Sequence, residues 1–336
     1  MPDSFNGNGN KAIGPLSAQS AMEYLMTYGW SILIIAIVLL AMFQLGLFSS
    51  LQLAPKIPPG SCQVVRPNGP GNNQFITLEG TCNKYLPQFV AEFNGKDSNI
   101  TANLSLLKFV NTGTFTVSAW IMSRGYTGSE QNVVSLGNDG CYVSYYNGTN
   151  DTGVILLDAP GAPGAISSST YPTNVFKAAA CIYNTTYKGA QWEFVTAPFN
   201  SSNYNHWFFL VETYNGNSLQ LYINGKLANS TVAPGFMITP KNYISIGSIY
   251  TTIDPGVRLW YNGSIANVQI YNSSFSLSQV QQLYKEGIIG APADLYNLVS
   301  WIPLDGNAAD YGGNGANGKS LNSTYTNAWV SNYTVP

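Results

Sequence analysis

The chain has 336 residues, 45% of them hydrophobic, which is enough for one large domain or two ordinary ones with a sizeable core. Only 9% are charged, where a typical soluble domain carries about 25%. A net charge of −2 offers no basic surface for phosphates and excludes a nucleic-acid partner, while 13% aromatic residues exclude intrinsic disorder.

The first 18 residues are polar and irregular, with Lys11 as their one basic residue. From Trp30 to Phe48 nineteen residues pass without a charge, just enough for a helix to cross a hydrocarbon core of about 30 Å. Gln19 to Tyr28 is helix-compatible and continues the same helix upstream; Pro55, Pro58 and Pro59 stop it, predicting a helix over about 19–51. A cleaved secretory signal fits poorly, because the apolar stretch is long, lies far from the start and lacks a small-residue cleavage site after it. Glu23 is the odd residue, a carboxylate on a helix destined for lipid that needs a partner.

At Ala18-Gln19-Ser20-Ala21-Met22-Glu23-Tyr24 and the apolar run to Phe48, the chain resembles the archaeal class III signal peptide of type IV pilin-like proteins. The resemblance implies that a prepilin peptidase cuts between Ala18 and Gln19 and that the mature chain keeps its hydrophobic helix. Pilus assembly machinery would then pack the helices of many copies into a filament core. Glu23 becomes the fifth mature residue, paired with a neighbouring subunit's N-terminal amine, each charge relieving the other in an apolar place. The family's usual Lys or Arg before the cut is replaced here by Ser17.

Beyond Ser61 helical periodicity gives way to short alternating runs between Asn/Gly turns. Strands are expected at 74–78, 88–93, 115–123, 140–146, 154–158, 207–214, 219–223, 243–246 and 264–271, with turns at Asn215-Gly216 and Asn224-Gly225. Many short strands at this spacing predict an all-β sandwich. Ser276-Leu277-Ser278-Gln279 is a capping box opening one short helix that Gly287 closes. Four blocks in order, AEFNG (91–95), FTVSAWI (115–121), HWFFLVETYNGNSLQLYINGKL (206–227) and YNGSIANVQIYNSSFSLSQVQQLYKEG (261–287), resemble the laminin-G, concanavalin A-like jelly roll. The resemblance spans about 87–287 and implies that Trp120, Trp207 and Tyr222 face the core. Residues 298–318 resemble the segment that normally begins this fold. They either close their own sandwich or add a strand to a neighbouring subunit.

The expected organisation is therefore a leader (1–18), a hydrophobic pilin-like helix (19–54), a linker and collar (55–86), the jelly roll (87–287) and a C-terminal segment completing the sandwich (288–336). The four Cys permit three pairings, or four buried thiols. The simplest pairing joins sequence neighbours, Cys62 with Cys82 and Cys141 with Cys181, and implies an oxidising compartment.

Catalysis finds no residues. The seven Glu (23, 79, 92, 130, 193, 212 and 286) are not closely spaced on one strand as a glycosidase pair requires, and the one His, His206, adjoins a core strand. Asp305, Asn307, Asp310 and Asn314 form an oxygen-rich, Gly-spaced loop that suits calcium and equally suits plain turns. Tyr126, Tyr145, Tyr146, Tyr171 and Tyr250 are candidates for stacking on sugars. The acceptor pattern for N-linked glycans occurs at Asn99, Asn103, Asn147, Asn150, Asn184, Asn200, Asn229, Asn262, Asn272, Asn322 and Asn332, all after the apolar segment. These eleven sites exceed the roughly six that chance gives. The expected protein is a cell-surface filament subunit or adhesin, inserted in the membrane by its helix and binding a glycan or surface ligand with its sandwich. The alternatives are a monomeric membrane-anchored lectin or receptor and, lacking its carboxylates, a surface glycosidase.

Overall fold

The structure is a computed structural model that describes residues 26, 28–40, 61–67, 73–79, 87–103, 113–125, 131–137, 141, 155–161, 175–184, 188–237, 243–249, 259–292 and 294–328. For 61–67, 73–79 and 155–161 it describes the backbone alone. The chain divides into two compact units, Met1–Pro58 and Pro59–Pro336.

In the first unit, residues 28–40 form helix α1. Branched and long apolar side chains repeat without a polar face, so the helix exposes hydrophobic residues all round: Trp30, Ile32 and Leu40 are each at least 64% exposed. Thirteen residues span about 20 Å at 1.5 Å each. Among the described residues no helix is long and apolar enough to cross a membrane. Of the expected helix over 19–51 the structure describes 26 and 28–40; Ala18, Gln19, Glu23 and the stretch 41–51 lie outside the described residues.

The second unit is mainly β. Strands β1 (Ser61–Pro67) and β2 (Asn73–Glu79) pair antiparallel as a two-stranded sheet. Cys82 and the side chain of Cys62 lie outside the described residues.

Two sheets follow, each of eight strands among the described residues, and the chain crosses repeatedly between them. The first sheet holds β3 (Phe89–Asn94), β5 (Phe115–Ser123), β10 (Trp207–Tyr214), β11 (Ser218–Ile223), β12 (Lys226–Val232), β15 (Asn262–Tyr271), β16 (Leu298–Ile302) and β18 (Thr324–Asn327). The second holds β4 (Asn99–Asn103), β6 (Asn132–Leu136), β7 (Ile155–Gly161), β8 (Val175–Asn184), β9 (Gly189–Pro198), β13 (Phe236–Met237), β14 (Tyr243–Ile246) and β17 (Lys319–Leu321). The C-terminal segment pairs within its own chain. Strand β16 lies beside β15, β17 beside β4 and β18 beside β3, so it feeds both sheets.

Alternation along each strand sets the core. On β5, Phe115, Val117, Ala119 and Ile121 meet Ile100, Ile244 and Ile246 of the second sheet between the two layers. The intervening Trp120 and Met122 point the other way. They join Trp207, Phe209, Val211 and Tyr222 in a second buried cluster on the outer face of the first sheet. Helix α2 (Leu277–Glu286) roofs this cluster with Val280 and Leu283, and Tyr284 stacks on Trp120 at 5.7 Å and 17°. This corrects the expectation for Trp120, Trp207 and Tyr222. They are buried, but under the helix rather than between the sheets, because both faces of this sheet are covered.

The local signals around α2 act as their chemistry dictates. The Ser276 hydroxyl accepts from Gln279 N, the Gln279 side chain accepts from Ser276 N, and Gly287 N donates to Tyr284 O at the far end. Phe275 N donates to Thr116 Oγ1 (3.0 Å) and Thr213 Oγ1 (3.1 Å), fixing where the helix leaves the sheet. The β11–β12 hairpin turns at Asn224 (φ +50°) and Gly225 (φ +74°), the left-handed pair that matches strand twist.

Candidate functional site

The two outer faces of the sandwich differ in kind. That of the first sheet is apolar and roofed by α2. That of the second carries hydroxyls and amides at its centre and aromatic rings toward its margins. One register row crosses it, from Phe194 on β9 through Ala179 on β8, Leu156 on β7, Ser135 on β6, Ser245 on β14 and Thr101 on β4 to Lys319 on β17. The small hydroxyl residues lie in the middle and the largest residues at the ends. Ser245 and Ser248 share a hydroxyl hydrogen bond of 3.0 Å, and Asn99 Nδ2 donates to Ser248 Oγ at 3.1 Å, so this buried polar centre is internally satisfied. Ile249 and half-buried Leu259, Trp192 and Phe194 pack over Ala179 beside it.

Three aromatic residues share this face at its β8–β13 end. Tyr183 follows core-facing Ile182, and Phe236 precedes core-facing Met237, so both point outward; the register pairs them directly. Their rings stack at 4.8 Å with 23° between planes. Gly235 (φ +155°) makes the approach possible, since a Cβ there would lie 2.2 Å from the Tyr183 carbonyl oxygen. Trp192, the partner of Cys181 on β9, points to the same side. Phe236 is 47% exposed, and a flat, wet ring of this kind suits the apolar face of a sugar. At the opposite end Tyr243, 37% exposed, is the cross-strand partner of exposed Asn103.

The Cys141–Cys181 disulfide is formed and joins the segment at 141 to β8. On the same strand Lys177 is buried, and burial lowers its pKa from 10.5 to about 8 against the opposing pull of Glu212.

The oxygen-rich C-terminal loop spends its acceptors on the protein. Asp310 Oδ1 accepts from Ser300 Oγ (3.1 Å), Trp301 N (3.0 Å) and Gly312 N (2.9 Å), and its Oδ2 accepts from Ala316 N (3.2 Å). Asp305 Oδ1 accepts from Phe89 N, Asn307 Oδ1 from Ala309 N, and Asn314 donates to Val299 O. A calcium ion needs six to eight oxygens turned toward one point. Asp305, Asn307 and Asp310 instead turn theirs toward backbone N–H groups of the protein, so these side chains organise a turn. Among the described residues no three His, Cys, Asp or Glu side chains are grouped as metal ligands.

Of the other sequence candidates, Glu92 is buried and paired with Arg124, its Oε1 accepting from Ser264 Oγ at 2.9 Å. Glu212 is buried and Glu286 lies on α2, so these carboxylates belong to different elements; His206 is exposed. The acceptor asparagines divide by exposure. Asn103, Asn200, Asn229 and Asn322 are exposed, Asn262 and Asn272 half-buried, and Asn99 and Asn184 buried at 5% exposure each. A glycan on Asn99 would have to break its bond to Ser248, so the structure removes the two buried residues from the acceptor set. Asn147, Asn150 and Asn332, together with Tyr126, Tyr145, Tyr146, Tyr171 and Tyr250, lie outside the described residues. Tyr183, Trp192 and Phe236 escape a reading of the sequence; the one local signal is the glycine before Phe236.

Residues 182–281 match the concanavalin A-like lectin/glucanases superfamily, in its Laminin_G_3 form. No curated protein sequence matches the chain. Among solved structures, a Bacteroides ovatus protein described as carbohydrate-binding superposes with a TM-score of 0.51 at 17% identity, over 76% of this chain and 63% of that one. Weaker likenesses are a heptameric SAP-like pentraxin of Limulus polyphemus and the binding domain of botulinum neurotoxin serotype G. The pentraxin has a TM-score of 0.40 at 12% identity, over 66% of this chain and 93% of its own. The neurotoxin domain has a TM-score of 0.39 at 17% identity, over 69% and 47%. The first of these likenesses concerns the fold alone.

Proposed function

We propose that the sandwich is a carbohydrate-recognition module whose ligand stacks on the Tyr183–Phe236 platform of the second sheet. The observation that supports this most directly is the contrast between the two outer faces: one is sealed by a helix, the other carries at its margin the stacked Tyr183–Phe236 pair, with Phe236 47% exposed. Hydroxyl-rich neutral polysaccharide is the matching ligand class, since a chain with 9% charged residues has little with which to hold an ionic one. The action is binding, not turnover. Retention on a panel of immobilised polysaccharides tests it. Phe236→Ala should weaken retention about three- to tenfold, the worth of one aromatic stack, while leaving the folded spectrum unchanged. Equal retention of variant and wild type refutes the platform, and release of shortened sugars refutes the non-catalytic reading.

The module is displayed by the N-terminal helix, which we read as the core-forming helix of a pilin-like filament subunit at the cell surface. Support comes from the charge-free run around α1, its exposure on every side, and the position of Glu23 four residues after Gln19. Mass spectrometry of the mature N-terminus decides it. A chain beginning at Gln19 supports the filament route, and an intact Met1 supports the monomeric anchored lectin instead. Glu23→Ala should leave insertion intact and abolish filaments seen by negative-stain microscopy.

A further inference from the structure

We infer that Asn103 carries an N-linked oligosaccharide whose first sugar lies on the ring of Tyr243. The acceptor triplet Asn103-Leu104-Ser105 begins at the last residue of β4, where the side chain is exposed. The acceptor pattern four residues earlier, at Asn99, sits on the same strand and the same face, but that residue is 5% exposed and its amide nitrogen donates to Ser248. Asn103 differs from it in being exposed and in having an aromatic platform beside it.

That platform follows from the register. Asn103 and Tyr243 are direct antiparallel partners, and each adjoins a core-facing residue, Ala102 and Ile244, so both project from the outer face. Direct cross-strand partners hold their Cβ atoms about 5 Å apart, roughly the length of one pyranose ring. A sugar joined to the Asn103 amide therefore reaches the Tyr243 ring without bending away from the sheet. Its axial C–H groups meet the electron-rich face of an aromatic that is 37% exposed. The Tyr243 carbonyl accepts from Gly137 N at 2.8 Å, which anchors the platform to the β6 side.

The covalent step needs a lipid-phosphate-linked oligosaccharide as donor. The Asn103 amide nitrogen attacks the anomeric carbon, the new N–C bond replaces the C–O bond to phosphate, the lipid phosphate leaves with the electron pair, and the amide gives up one proton. The inference is independent of what binds the Tyr183–Phe236 platform at the other end of the face.

The test uses the full chain isolated from its native cells. Cleavage after Lys96 and Lys108 releases one peptide holding both Asn99 and Asn103. Electron-transfer fragmentation should place a sugar mass on Asn103 and none on Asn99; a bare Asn103, or a sugar on Asn99, overturns the inference. Stacking is read separately by enzymatic or chemical removal of the glycan. That removal should lower the melting temperature of the wild type and of Tyr243→Phe by roughly 2 °C, and leave Tyr243→Ala unmoved. The same shift in Tyr243→Ala as in the wild type overturns the stacking, whereas loss of polysaccharide retention in any variant bears only on the ligand platform.

Discussion

Glu286 should make the folded unit more stable in weak acid than at neutral pH. It occupies the last turn of α2, half-buried, where the helix dipole already disfavours negative charge, and its Oε2 is buried with no hydrogen-bond donor. Burial raises its pKa from 4.5 to about 8, and a hydrogen bond from Gln282 only partly offsets this. The sign follows from linkage. Below pH 4.5 both states hold the proton and Glu286 costs nothing. Between 4.5 and 8 the unfolded chain ionises while the folded one does not, so stability falls as pH rises; above 8 the loss is complete. The full shift corresponds to about 5 kcal/mol at 1.36 kcal/mol per pKa unit. Solvent reaching a half-buried group reduces this to about 2 kcal/mol. Glu286→Gln keeps the size and the acceptor for Gln282 and removes the charge. Urea titrations should show the two proteins equal at pH 4 and the variant more stable by about 2 kcal/mol at pH 8. Parallel curves from pH 4 to 8 would refute the assignment of a buried, neutral carboxyl at this turn.

Other substitutions test the fold that carries the platform. Trp120→Ala opens a cavity between the first sheet and α2 and should cost about 3–5 kcal/mol in chemical denaturation, detaching the helix before the sandwich unfolds. Asp310→Ala strands buried N–H donors of Trp301, Gly312 and Ala316 and should cost about 3 kcal/mol; adding calcium or a chelator should leave the wild-type melting temperature unmoved. Replacing Cys141 and Cys181 by Ala frees a link between residues 40 apart and should lower stability by about 4 kcal/mol on chain-entropy grounds, read by urea titration of the two oxidised proteins.

Legibility in the sequence tracked how local the cause was. The capping box at Ser276 and Gln279, the Asn224-Gly225 turn and the strands at 115–123 and 207–214 are set by neighbouring residues, and each stands in the structure where the pattern puts it. Strand β8 went unseen because its centre, KAAAC from Lys177 to Cys181, has the composition of a helix; pairing with β7 and β9 on both sides overrides that preference.

By itself, the amino-acid order pointed to an apolar helical stretch near the N-terminus and to a mainly β unit after residue 61. It could not say which face of β5 meets the other sheet, since FTVSAWIMS is buried on both sides and alternation then labels no face as inward. Nor could it join Tyr183 to Phe236, 53 positions apart, or Asn103 to Tyr243, 140 apart. Those pairs exist because strands distant along the chain exchange backbone hydrogen bonds in one register. A shift of a single residue would turn each of these rings into the core.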